Sequence, residues 1–200
     1  MAAAPTDADF LDAVLRNPVV ADVLARAEGL DLPDGYLAAG CLFQTVWNVL
    51  DGHDPQRGIG DYDLIYHDAS DLSWDAEDEV IRRCADVFGD LGVEVEVRNQ
   101  ARVHLWYEDH FGVPAPPIAS SRDGVDRYAA HACRVAVRRV AGRYEVYAPS
   151  GYTDLFGFVL RPNPVVAPRA LYEAKAARWK ALWPRLQVLP WPDAPIGPDR

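Results

Sequence analysis

The sequence predicts an α+β fold, a small β-sheet flanked by helices, and three observations carry that expectation. Val93-Glu94-Val95-Glu96-Val97 alternates strictly between apolar and acidic residues, as a strand with one polar face does. Asp61-Tyr62-Asp63-Leu64-Ile65-Tyr66 ends in a second run of strand formers. Around these runs lie longer segments with apolar residues at helical spacing, such as Leu42, Phe43, Val46, Trp47 and Leu50.

In chain order, Thr6 with Asp9 three residues on marks a helix start, and Phe10, Leu11, Val14 and Leu15 form its apolar stripe. Asn17-Pro18 opens a second helix, which Gly29 ends. After the Asp34-Gly35 turn, Tyr36 to Ala39 reads as a short strand running into Gly40, and the helix behind it stops at Asp51-Gly52. A glycine-containing loop leads to the Asp61 strand. Ser73 then caps a helix whose first turns hold Asp75, Glu77, Asp78 and Glu79, where negative charge is favoured structurally. The Val93–Val97 strand follows. Residues 99–111 read either as a helix capped by Asn99 and stopped by Gly112 or as a continued strand. Val113-Pro114-Ala115-Pro116-Pro117 is an extended linker, and Ser120 with Asp123 starts another helix. Arg134–Arg139 and Tyr144–Tyr147, joined near Ala141-Gly142, read as a hairpin. Thr153-Asp154 opens a short helix through Val159, ended by Arg161-Pro162-Asn163-Pro164. A last helix from Pro168 to Trp183 places Leu171, Lys175, Trp179 and Trp183 on one face. The tail from Leu189 is Pro-rich and expected to lie along the surface. The expected division is N-terminal helices over 1–35, a core over 36–110, helices and hairpin completing the domain over 111–188, and the tail over 189–200.

A chain of 200 residues, 50% hydrophobic and 25% charged, suits one compact domain or one with a small appendage. No basic segment followed by an apolar run stands behind Met1, and no stretch is apolar enough to span a bilayer, so a soluble, cytoplasmic protein with no membrane partner is expected. Three widely spaced cysteines suit reduced thiols, and five histidines form no zinc pattern with them. A net charge of -10 argues against a general nucleic-acid binder.

The chemistry is expected at Asp61 and Asp63. On a strand, residues i and i+2 share a face, so the two carboxylates point the same way and repel unless a cation lies between them. Magnesium is commonly held by one or two such groups with waters and phosphates. Capping or solvating the adjacent turn is the bland alternative. Glu94 and Glu96 share the polar face of their strand, and either can add a third acid if the two strands are neighbours; Glu96, nearer the strand's end, is preferred. Gly40, between strand and helix, suits a phosphate approaching unpaired backbone N–H groups, although a plain tight turn explains it as well. Lys175 either snorkels past an apolar face or reaches an anionic ligand.

Several segments together carry a resemblance: Gly40-Cys41-Leu42-Phe43-Gln44-Thr45-Val46-Trp47-Asn48, Asp61-Tyr62-Asp63, Arg98-Asn99-Gln100-Ala101-Arg102-Val103-His104-Leu105-Trp106, Ala148-Pro149 with Asp154-Leu155-Phe156, and Arg161-Pro162-Asn163-Pro164. Over roughly residues 15–190 the chain resembles bacterial nucleotidyltransferase-like proteins of unassigned substrate, within the superfamily that shares the DNA polymerase β palm. That resemblance implies a small mixed sheet. It implies a glycine turn holding a nucleoside triphosphate (Gly40, Cys41), an Asp-x-Asp strand binding two magnesium ions (Asp61, Asp63) and a third acid completing the site (Glu96). Cys41 stands where the wider superfamily usually has Gly or Ser.

The expected function is magnesium-dependent transfer of a nucleoside monophosphate from a nucleoside triphosphate to an acceptor, with Asp61, Asp63 and Glu96 catalytic and Arg102 and Lys175 on the phosphates. The acidic balance favours a small-molecule or protein acceptor over long nucleic acid. The alternatives are a palm-fold nucleotide sensor or antitoxin-like binding protein, and metal-dependent phosphoester hydrolysis.

Overall fold

The computed structural model describes residues 3–192. Thr6 caps α1 (Asp7–Val14) in a capping box, its N–H donating to the Asp9 carboxylate at 2.8 Å. Asn17 caps α2 (Pro18–Ala27) by accepting from the Val19 and Val20 N–H groups. β1 (Tyr36–Ala38) runs into α3 (Gly40–Leu50), and β2 (Asp61–Tyr66) is joined through α4 (Trp74–Phe88) to β3 (Glu94–Asn99). The chain continues through α5 (Tyr107–Phe111), α6 (Ser121–Asp126), the hairpin β4 (Ala136–Val140) and β5 (Arg143–Tyr147), and α7 (Thr153–Phe156). It closes with β6 (Val159–Leu160), α8 (Arg169–Leu182) and β7 (Gln187–Val188).

Five strands form one mixed sheet in the order β3-β2-β1-β4-β5, in which β2 and β3 are parallel and the other pairs antiparallel. The expected α+β architecture is therefore present. Its two faces differ. Leu37, Leu64 and Val137 point into the main core with Phe10, Val20 and Trp47. Tyr36, Ala38, Ile65 and Ala136 form a smaller cluster with Val125 of α6 on the opposite face. Alternation along β2 puts Asp61 and Asp63 on this second face with Ile65, while Tyr62 and Leu64 anchor the strand in the core.

Indole hydrogen bonds fix α8 against α3. Trp183 Nε1 donates to Asn48 Oδ1 at 2.9 Å, and Trp47 Nε1 donates to the Leu155 carbonyl at 3.0 Å. Trp179 packs edge-on against Phe43, so the α8 face expected from its spacing does turn inward.

Two expectations need correction. Residues 99–111 are neither one helix nor a strand: Asn99 caps a 3-10 segment, Gln100–Leu105, which gives way to α5 before Gly112 ends it in the left-handed region. The helix from Thr153 stops at Phe156, where the Gly157 N–H closes on Thr153 and Phe158 takes a φ of 54°. That turn frees Val159 and Leu160 to pair with Gln187 and Val188 in a two-stranded parallel sheet that sequence periodicity did not reveal. Of the Pro-rich tail, Trp191 packs on Tyr172 with ring centroids 5.8 Å apart, and residues 193–200 lie outside the described residues. Cys41, Cys84 and Cys133 are buried free thiols.

Candidate active site

Asp61, Asp63 and Glu96 each bring a carboxylate oxygen within 4.8 Å of the other two. The register explains the convergence: Asp63 and Glu96 are direct partners across the parallel β2–β3 pair, and Asp61 lies two residues back on the same face. Glu94 partners Asp61 but is exposed and stands outside the cluster, so Glu96 is the acid that joins it.

Burial, then the neighbouring Asp61 and Glu96 carboxylates, push the Asp63 carboxyl up from 3.8 to about 7, against a smaller downward pull from Lys175. This donor set suits a hard divalent cation: three oxygens, no sulfur or imidazole, and a buried repulsion that a cation relieves. A stability effect follows. A carboxyl whose pKa is raised on folding stabilises most below its unfolded value and loses that contribution as pH rises towards 7. Metal-free protein is expected to lose on the order of 4 kcal/mol between pH 4 and 8 from this group. Urea midpoints across that range check it: Asp63→Asn should flatten the loss, and added divalent cation should restore stability to the wild type at pH 8 but not to the variant.

Gly40 stands directly against the carboxylates. A Cβ there would lie 3.0 Å from Gln44 Nε2, 3.7 Å from Asp61 Oδ1 and 4.0 Å from Asp63 Oδ2. The preceding Ala39 has φ 53° and ψ −119°, a conformation that costs an L residue free energy. It is held there by its N–H donating to the Val135 carbonyl at 3.1 Å and by its carbonyl accepting from Leu42 and Phe43. This corner aims the unpaired first amides of α3 at the acids. The Cys41 side chain is fully buried with its thiol towards the Ala38 carbonyl, so it offers a ligand only its backbone.

The acids open into a cavity of about 410 Å³. Lys175, the cation expected from the α8 spacing, lines it and has no ion-pair partner among the described residues. Arg178, one helical turn on, lines it too. Arg102 is not brought to this site. Its guanidinium is buried in an ion pair with Glu77, its Nε donates to the Leu72 carbonyl at 3.0 Å, and it lies over the Trp74 ring. The 3-10 turn carries it to the far side of the strand end. The charge it meets is one that sequence reading assigned only to the α4 N-terminus; Glu77 also accepts from the Asn99 N–H at 2.8 Å.

Sequence reading missed several groups around the cavity. Arg98 donates to Glu96 Oε1 at 2.6 Å, and its place two residues beyond Glu96 was the available signal. Gln44 lies four residues beyond Gly40, on the same helix face. Tyr128, whose phenol is pushed well up by burial and by Asp63, also lines the cavity, and nothing local in the sequence marked it.

A glycine turn at the head of a helix, facing acids on two adjacent parallel strands of a mixed sheet, defines a nucleotidyltransferase-type core. A family model described as Nucleotidyltransferase matches residues 25–188, and the chain belongs to that family. Among solved structures it is similar to an NMR structure described as revealing a CCA-adding enzyme head domain. The TM-score is 0.74 at 24% identity, covering 93% of this chain and 97% of that one, a likeness that shows the shared fold. No curated protein matches the chain.

Proposed function

We propose that the protein is a magnesium-dependent nucleotidyltransferase that moves a nucleoside monophosphate from a nucleoside triphosphate to an acceptor hydroxyl or phosphate. The convergence of Asp61, Asp63 and Glu96 carries this reading. Two magnesium ions, when bound, supply positive charge to the phosphates and to the acceptor oxygen. Asp61 and Asp63 hold them, and Glu96 completes the set or takes the acceptor's proton. The amides of Gly40 and Cys41 receive phosphate oxygens, and Lys175 and Arg178 balance the charge of the leaving pyrophosphate. In the reaction, the acceptor oxygen forms a bond to the α-phosphorus, the bond from that phosphorus to the bridging oxygen breaks, and pyrophosphate departs with the electron pair.

The net charge of -10 supports a small-molecule or protein acceptor over long nucleic acid. No helix among the described residues is long and apolar enough to cross a membrane. The test is label transfer from each of the four α-labelled nucleoside triphosphates, with magnesium and a clarified bacterial extract as the acceptor pool. Labelling of an acceptor with release of pyrophosphate is expected. Nucleotide binding with no transfer from any of the four would replace this reading with that of a sensor or antitoxin-like binding protein. Transfer to water alone would replace it with hydrolysis.

Gly40→Ala gives a graded result in the same system. Its Cβ would press on Gln44 Nε2 and fill the space beside both aspartates at ordinary contact distance. A folded variant with nucleotide affinity reduced about tenfold is expected in an equilibrium titration. Affinity equal to wild type would show that phosphates do not approach this turn.

A further inference from the structure

The cavity continues beyond the acids and cations into an apolar, aromatic half. Val103, Trp106, Tyr107 and Phe111 wall it from the 100–111 segment, and Ile118 adds to it from the linker. The Tyr107 and Phe111 ring centroids are 4.6 Å apart and those of Trp106 and Phe111 6.3 Å, while Trp106 remains 41% exposed. The linker is held in place rather than loose. Arg127 donates to the Pro116 and Pro117 carbonyls at 2.5 and 3.0 Å, and the His67 ring bonds the Ile118 carbonyl at 2.8 Å.

Buried amide side chains single out the same space. Six are buried among the described residues: Asn17, Gln44, Asn48, Asn99, Gln100 and Asn163. The four asparagines are hydrogen-bonded to protein groups. Gln44 and Gln100 are 5% and 7% exposed, take no hydrogen bond from or to another described residue, and both line the cavity. Their amide groups face the cavity rather than protein partners, and each offers a ligand there one acceptor and a pair of donors. Gly124 leaves room for the Gln100 amide, which any side chain at that position would strike. From Glu96, Gln100 is four residues further along an extended segment, roughly 13 Å. That reach is comparable with the extent of a nucleotide from its α-phosphate to its base edge.

We propose that this half of the cavity is the nucleobase subsite. Trp106, Tyr107 and Phe111 form the wall on which the base stacks, Gln100 reads its edge by donating and accepting together, and Gln44 bonds the ribose beside the carboxylates. Stacking on aromatic rings accepts any base, so the choice among bases falls to Gln100. The proposal rests on the transferase reading, and its test separates the two.

Calorimetric titration with magnesium and no acceptor would compare the four nucleoside triphosphates with inorganic tripolyphosphate, which has no base. Wild type is expected to bind at least one nucleotide about tenfold or more tighter than tripolyphosphate. Gln100→Leu should reduce its preference among bases about tenfold, and Trp106→Ala should weaken all four nucleotides about tenfold, with tripolyphosphate unchanged in both. Trp106 is exposed enough for its variant to fold and to carry the test alone if Gln100→Leu does not. Nucleotides bound no tighter than tripolyphosphate, or a folded Trp106→Ala with wild-type affinities, would overturn the base subsite and leave the transferase reading standing. Wild type binding neither nucleotide nor tripolyphosphate would overturn both.

Discussion

Asp63→Asn is expected to lower nucleotidyl transfer on the order of 10³-fold, about 4 kcal/mol of transition-state stabilisation, while the protein stays folded. Asp63 is the middle member of the cluster, two residues from Asp61 and the register partner of Glu96. An amide keeps its shape and removes its charge, so cation affinity falls without a cavity being opened. In metal-free protein the same change relieves burial and repulsion that already push this carboxyl up to about 7, so stability at pH 8 should rise while activity collapses. Opposite signs on the two readouts are what distinguish a functional carboxylate from a structural one. Glu94→Gln is the matched control, because Glu94 is exposed on the same strand face and outside the cluster; its rate should stay within about twofold of wild type. Transfer by Asp63→Asn at the wild-type rate would remove the carboxylates from the mechanism.

Arg102→Ala should act on stability instead. Glu77 is 5% exposed and Arg102 9%, and the pair is buried between the start of α4 and the end of β3. Truncating the arginine leaves a buried carboxylate without its counter-charge, at a cost of about 3–5 kcal/mol. For a chain of this length that corresponds to a fall in Tm of about 10 °C. The double variant Arg102→Leu with Glu77→Leu should recover most of that loss, since it removes both charges. Below its melting range, folded Arg102→Ala should bind nucleotide as wild type does, because the guanidinium faces Leu72, Trp74 and Glu77 and not the cavity. Weakened nucleotide binding with unchanged Tm would return Arg102 to the phosphates.

The two arginines show where sequence reading stops. Arg98 and Arg102 lie in one continuous segment rich in polar and basic residues, and only Arg102 was expected at an anion. A strand directs Arg98 to the face of Glu96, whereas the 3-10 turn that begins at Gln100 rotates Arg102 away to a partner 25 residues earlier in the chain. Gln44 and Gln100 likewise look like ordinary polar positions until the fold turns them into the cavity without a protein partner. The two-residue strands β6 and β7 are too short to carry any periodicity, and they exist only because Val159 and Gln187 meet across the intervening helix.

The chain's local pattern was enough for the caps at Thr6, Asn17, Ser73 and Ser120, the helical stripes, the shared face of Asp61 and Asp63, and the inward face of α8 that bears Lys175. Each depends on residues within one or two turns, where backbone geometry dictates which side chains point together. Tertiary structure decided the rest: register chose Glu96 over Glu94, and packing between segments brought Lys175 to the cavity of the acids, buried Arg102 against Glu77 and built the aromatic wall. These follow from long-range pairing of strands and from core packing by Trp47, Trp179 and Trp183, whose energies come from contacts between segments far apart in the chain.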